Sequence, residues 1–314
     1  MENLIFSLNA TVPVFLMMLL GMLFKKLNWI DDDFASKMNR FVFKVSLPVL
    51  VFEDLATVDF AEAWDGKFVL FCFCATLISI TLVTLLSNLW RDKTIRGEFI
   101  QASYRSSAAI LGIAFIQNIY GNAGMAPLMI IGSVPLYNMM AVIVLSVFHP
   151  ENKGLDVQTL KKAAKGIVTN PILIAIAVGI LWSLLKLPIP YIMEKTIANL
   201  GATATPLGLM AMGATFDLKK AFTKGKPAVV AAAIKLVGFA AVFLPVAIAM
   251  GFRQEQLVAI LVMLSSATTV SCFVMAKNMG HEGTLTSSVV MLTTMFSAFT
   301  LTGWLFVLRS MGFI

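Results

Sequence analysis

Charge is scarce in this chain. Of its 314 residues, 13% are Asp, Glu, Lys or Arg and 59% are hydrophobic. A soluble domain carries about 25% charged residues, so the deficit excludes a surface built for water. Cysteine and histidine are scarce as well. Cys72, Cys74 and Cys272 all lie in apolar segments, and His149 and His281 are far apart in the chain. A disulfide framework or a metal site is therefore not expected, and no cofactor is implied. No Lys or Arg precedes the first apolar run, MENLIFSLNATVPVFLMMLLGMLFKK, and no small-residue cleavage pattern follows it. That run is expected to be a first membrane span rather than a signal peptide. Segments of ~10 residues with alternating hydrophobicity, the mark of a β-barrel, do not occur.

Long apolar runs do occur, one after another. Ten spans are expected, at about 7–25, 36–57, 67–89, 99–119, 125–148, 166–186, 196–216, 227–250, 256–277 and 284–308. Each is long enough to cross a hydrocarbon core of roughly 30 Å. The chain reads as an all-α polytopic membrane protein with short linkers. The net charge of +7 comes from basic residues in the linkers after odd-numbered spans, such as Lys25, Lys26, Arg91, Lys93, Lys161, Lys162, Lys219 and Lys220. Their placement along every such linker reports topology rather than nucleic-acid binding, and sets both termini outside the cytoplasm.

The halves of the chain match. A shift of 158 residues sets Pro13 on Pro171, Gly21 on Gly179, Pro48 on Pro206 and Asp59 on Asp217; one residue more sets Gly121 and Gly124 on Gly280 and Gly283. Each half holds five spans, an odd number, so the second half must run through the membrane upside down. Inverted repeats of this kind characterise secondary transporters, whose site lies near the midplane where the repeats meet.

The stretch LGIAFIQNIYGNAG (111–124) and its partner VSCFVMAKNMGHEG (270–283) follow runs of small polar residues: Ser103, Ser106, Ser107 and Gly112 in span four, and Ser265, Ser266, Thr268, Thr269 and Ser271 in span nine. Irregular backbone at membrane depth is tolerated where it is buried in protein or lines a cavity. If spans four and nine break there and cross, the half-helix N-termini suit a carboxylate. The candidate substrate site is Ser106, Ser107, Gly112, Ile113, Asn138, Ser266, Thr268, Thr269 and Ser271. Interhelical hydrogen bonding would explain Asn138 equally well, and close helix packing would explain any single serine.

Ionisable groups within spans are costly and by default suggest function. Lys235, well inside span eight, reads as a counter-charge for an anion or as the partner of an acidic residue. Arg105 lies beside the Ser106–Ser107 run; Lys44 is expected to snorkel to the inner surface. Glu53 and Asp54, near the outer end of span two, read either as solvated end residues or as proton-coupling carboxylates. Glu98 and Glu255 correspond under the repeat and are expected to cap the starts of spans four and nine.

SLPVLVFEDLA in span two, AAILGIAFIQNIYG in span four, NPILIAIAVGIL opening span six, ATPLGLMAMGATFDL, AAIKLVGFAAVFLP in span eight and SSATTVSCFVMAKNMG in span nine together resemble the auxin efflux carrier family, in family order along nearly the whole chain. Plant auxin carriers and bacterial malate permease-like proteins belong to it, and the short linker between spans five and six is like that of the bacterial members. The resemblance implies two inverted five-helix repeats with helices four and nine broken and crossing. It implies scaffold helices within 1–60 and 151–218, and transport-unit helices within 61–150 and 219–314. It further implies elevator-like carriage of small organic anions, Lys235 as the lysine of a family motif, a homodimer, and a bacterial inner (plasma) membrane. Whether H+ or Na+ is coupled is left open. The family often has proline at the crossing; here Ala114 and Ser265–Ala267 stand in its place.

Other classes fit less well. A cation/proton antiporter or sodium–solute symporter on a related fold needs paired acids in the core, and the central segments of spans four and nine hold none. An intramembrane enzyme needs a motif such as His–Glu–x–x–His, and HEG at 281–283 lacks the second histidine. A receptor would need an output domain.

Overall fold

The computed structural model describes residues 2–57, 65–108, 116, 119–120, 124–150, 168–216 and 225–314, and all regular structure among them is helical. Helix α1 is Glu2–Lys26. Asp31 then caps α2, Asp32–Phe41, by accepting a hydrogen bond from Phe34 N at 2.6 Å. A π-helical turn, Val42–Ser46, carries the chain directly into α3, Leu47–Ala56. Asp65 caps α4, Gly66–Leu86, in the same way as Asp31, at 3.0 Å from Phe68 N. Next come α5, Arg96–Tyr104, and α6, Ala126–Val147.

Helix α7, Pro171–Leu184, begins with the Asn170 side chain accepting from Ile172 N at 2.9 Å and proline at its first position. There the missing N–H costs nothing. Tyr191–Ala202 and Ala204–Ala214 form α8 and α9. Gly225–Ala233 is α10, and a second π-turn, Ile234–Gly238, joins it to α11, Phe239–Ala249. The chain ends with α12, Gln254–Ser265, α13, Ser271–Asn278, and α14, Thr284–Ser310.

Gly66–Leu89, Ala126–Val147, Gly225–Ala249 and Thr284–Ser310 are long and apolar enough to cross a membrane, and Pro171–Leu184 and Glu255–Ser265 are shorter apolar helices. This is a polytopic helical membrane protein. One hydrophobic core joins α4, α6, α11, α12 and the far end of α14. A second gathers α1, α3, α7 and α9 against α13 and part of α6.

Glycine sets the closest approaches in the second core. A Cβ on Gly21 would collide with the Met210 carbonyl, and one on Gly213 with that of Met18, so α1 and α9 touch backbone to backbone. On α7, a Cβ at Gly179 would stand 3.1 Å from Leu55 Cβ and 3.2 Å from Phe52 O of α3. Gly21 against Met210 and Gly179 against Phe52 are the same contact displaced by 158 residues in both partners.

Glu98 corrects one expectation. It stands in the first turn of α5, but its carboxylate accepts from Gly283 N, Thr286 N and Thr286 Oγ1, each at 2.9 Å. It therefore caps α14 rather than its own helix. Gly283 has φ +75°, which L side chains rarely adopt, and the turn it makes aims the N–H groups of α14 at Glu98. Glu255 stands correspondingly against Gly124 (φ +48°), 2.6 Å from a Cβ built there. Lys44 is exposed.

Gly213→Ala is expected to destabilise by about 1–3 kcal/mol through overpacking. Gly303→Ala, with nothing within 4 Å of its added Cβ, should be neutral or slightly stabilising. Thermal unfolding of the two variants in detergent checks this.

Candidate functional site

Two helix interruptions meet inside the protein. After Tyr104 the chain leaves the helix, with Arg105 extended at φ −70°, ψ 133°. In span nine α12 ends at Ser265, Ser266 is extended at φ −71°, ψ 163°, and α13 starts at Ser271. Ser107 N donates to Ala267 O at 2.9 Å, joining the interruptions backbone to backbone. Serine and threonine can break a helix without proline because their hydroxyls offer the backbone other partners.

The end of each half-helix leaves carbonyl groups that need donors. At α5, Gln101 O accepts from Arg105 N at 3.1 Å and Ala102 O from Thr268 Oγ1 at 2.9 Å. At α12, Val262 O accepts from Ser266 N at 3.0 Å, and Met263 O accepts from Ser106 Oγ and from Tyr137 OH, the latter at 3.2 Å. Gln101 Nε2 reaches across to Cys272 O at 2.9 Å. Carbonyls from both half-helix ends converge on one side chain. Lys235 Nζ donates to Leu264 O at 2.7 Å and to Met263 O and Tyr104 O at 3.3 Å, and it also contacts Ser106 Oγ.

Lys235 is fully buried. It lies in the π-turn between α10 and α11, and Trp304 Nε1 donates to the neighbouring Leu236 O at 3.3 Å. Its ammonium therefore stands at the negative ends of two half-helices at once, where the dipoles favour a cation.

Arg105 is the other buried cation here, 3% exposed. Its partners are neutral: Nη2 donates to Asn138 Oδ1 at 2.7 Å and Ser271 Oγ at 3.0 Å, and Nη1 to Met275 Sδ at 2.7 Å. Asn138 is held in register by Nδ2 donating to Val134 O at 3.1 Å. Arg105 Nε is buried with no hydrogen-bond partner among the described residues. Ser271 Oγ also bonds Thr269 Oγ1 at 3.2 Å.

A cavity of about 60 Å³ opens beside this guanidinium. Arg105, Ser106, Ser107, Asn138, Thr269, Ser271 and Asp54 all line it. Asp54 arrives on the face of α3 that also presents Leu47, Leu50 and Val51, residues spaced for one side of a helix. Of the remaining residues singled out from sequence, Ser266 and Thr268 are buried in the crossing and do not line the cavity. Neither does Lys235. Glu53 points elsewhere, with Oε2 3.1 Å from a Cβ placed on Gly201. Gly112 and Ile113 lie outside the described residues.

Sequence reasoning passed over Tyr137, Thr205, Val134 and Ile172 as lining residues, and Gln101 as a brace. Gln101, a large polar residue in an apolar span, carried a usable signal. Nothing in the sequence distinguished the others from ordinary core residues.

A sequence profile for a membrane transport protein family matches residues 6–305. The chain belongs to that family. The resemblance to auxin efflux carriers drawn from the motifs is thereby borne out. One relative, a putative malonate transporter from Rhizobium meliloti (strain 1021), is 25% identical over 326 residues, covering 96% of each chain. An uncharacterized transporter from Methanothermobacter thermautotrophicus is 22% identical, covering 96% of this chain and 98% of its own. The protein is a multi-pass membrane transporter.

The two buried cations should respond differently to removal. Lys235→Met strands carbonyls of both half-helices, and each unsatisfied buried group costs about 1–3 kcal/mol. Arg105→Gln keeps a donor for Asn138 or Ser271. Thermal unfolding should show a large loss for the first and a small one for the second.

Proposed function

We propose that this protein is a secondary transporter for small organic anions, and that Arg105 receives the carboxylate. The observation carrying this reading is a buried guanidinium, bonded among the described residues to neutral groups alone, in a cavity where two broken helices meet. A guanidinium offers five N–H donors in a fork that fits a carboxylate bidentately. Asn138, Ser271 and Thr269 line the same space and supply neutral polar groups for the rest of the ligand. The cavity has room for about four to six water-sized groups, the scale of a short aliphatic acid. The putative malonate transporter among the relatives carries an acid of that kind in its name.

The proposed architecture is ten transmembrane helices in two inverted five-helix repeats, with helices four and nine crossing. The paired glycine contacts of α1 with α9 and α7 with α3 support it. The Glu98–Gly283 and Glu255–Gly124 placements pair similarly, at shifts of 157 and 159 residues. In this reading the scaffold holds α1–α3 and α7–α9, and the transport unit holds α4–α6 and α10–α14. The unit moves past the scaffold in an elevator-like manner, carrying Arg105 and its ligand. Asp54 comes from the scaffold side and Arg105 from the transport side, so the cavity lies on the sliding surface. The proposal also places the protein in a bacterial inner membrane, with both termini outside the cytoplasm, as a homodimer. Lys235 here is a positioning residue that holds the crossing.

A thermal-shift series in detergent tests the assignment, with malonate, malate, lactate, an aromatic acid and amino acids as probes. At a hundredfold excess over Kd a bound acid adds about 2.7 kcal/mol. One carboxylate class should stabilise the wild type and leave Arg105→Gln unmoved. Stabilisation by sodium or a pH step alone, with every acid silent, would favour a cation exchanger instead.

A further inference from the structure

Asp54 is out of place in an anion site. It lines the same cavity as Arg105, yet no ion pair joins the two among the described residues. No hydrogen bond to its carboxylate is formed within the described residues either. The charged groups on elements packed against α3 are Lys44 in the preceding π-turn and Glu194 and Lys195 on α8, with Glu53 beside it on the same helix. None of these lines the cavity, and Lys195 is turned over the Tyr191 ring at 5.5 Å. Among the described residues the charges lining the cavity are therefore one guanidinium and one carboxyl.

A dicarboxylate entering this space with one end on Arg105 brings its other end into the region that Asp54 shares. Two carboxylates confined to one site do not both stay ionised; they hold a proton between them. Building on the carboxylate reading above, we infer that Asp54 is the specificity-determining residue for a dicarboxylate's distal end, sharing one proton with it. The site then takes a short dicarboxylate together with one H+. The proton comes from the aqueous phase with the substrate and occupies an O–H···O bridge between Asp54 and the distal carboxyl. It returns to water when the substrate leaves, and no other bond is made or broken. A monocarboxylate has no distal charge to neutralise and binds without this proton. The coupling is thus a property of the occupied cavity, and its stoichiometry follows the charge of the ligand's far end.

Isothermal titration of malonate into the detergent-solubilised protein at pH 7.5, repeated in two buffers of different ionisation enthalpy, counts the protons taken up. The wild type should take up close to one proton per malonate and close to none per lactate. Asp54→Asn should still bind malonate with uptake near zero, because the amide already donates a hydrogen bond; Asp54→Ser gives a second, smaller neutral variant. Malonate binding by the wild type with no proton uptake overturns the inference and leaves the carboxylate reading intact. Uptake that persists undiminished in both variants does the same, assigning the proton to another group. If neither malonate nor lactate binds the wild type, the carboxylate reading and this inference fall together.

Discussion

An ammonium group at the meeting of two helix ends governs this structure. Breaking a helix at membrane depth exposes carbonyl groups where no water can satisfy them, and here two helices break at the same place. Lys235 supplies donors to the last carbonyls of both half-helices and a positive charge where their dipoles end. Without it, Tyr104, Met263 and Leu264 would lack the donor that joins them. A buried lysine is expensive on its own. In this setting its cost is offset by three carbonyls, and the irregular backbone becomes stable enough to form a binding surface.

That arrangement divides the work between the two buried cations. Lys235 directs its donors mainly at backbone, touches Ser106 Oγ and does not itself line the cavity. Arg105, one residue beyond the end of α5, faces the cavity and keeps donor capacity in reserve. An arginine suits this place better than a lysine because one nitrogen of its planar fork holds Asn138 and Ser271 while Nε–H has no partner among the described residues. The site then sets a buried positive group just beyond α5 across one cavity from an acid on α3.

Much of this was legible in the sequence, for identifiable reasons. The Ser-rich run after Tyr104 and the Ser/Thr run from Ser265 to Ser271 marked both interruptions, because such residues have little other reason to cluster within a span. Arg105, Ser106, Ser107, Asn138, Thr269 and Ser271 were singled out and share one cavity. Lys235 was noticed too, but its partners are carbonyls of distant segments, and sequence spacing carries no information about them. Asp54 looked equally fit for the helix end. Its place in the cavity depends on the rotation of α3, which the glycine contact with α7 sets. Glu98 misled because an acid in a first turn usually serves its own helix; the positive-φ turn at Gly283 brought another helix start within reach.

We propose that Lys235 holds the crossing and thereby leaves Arg105 to the substrate. A structure of the protein with malonate bound tests it most directly. A carboxylate should lie within hydrogen-bonding distance of the Arg105 guanidinium and Ser271, with Lys235 still on the carbonyls of Tyr104 and Leu264. A ligand carboxylate seated on Lys235, with Arg105 still bonded only to Asn138, Ser271 and Met275, would contradict it.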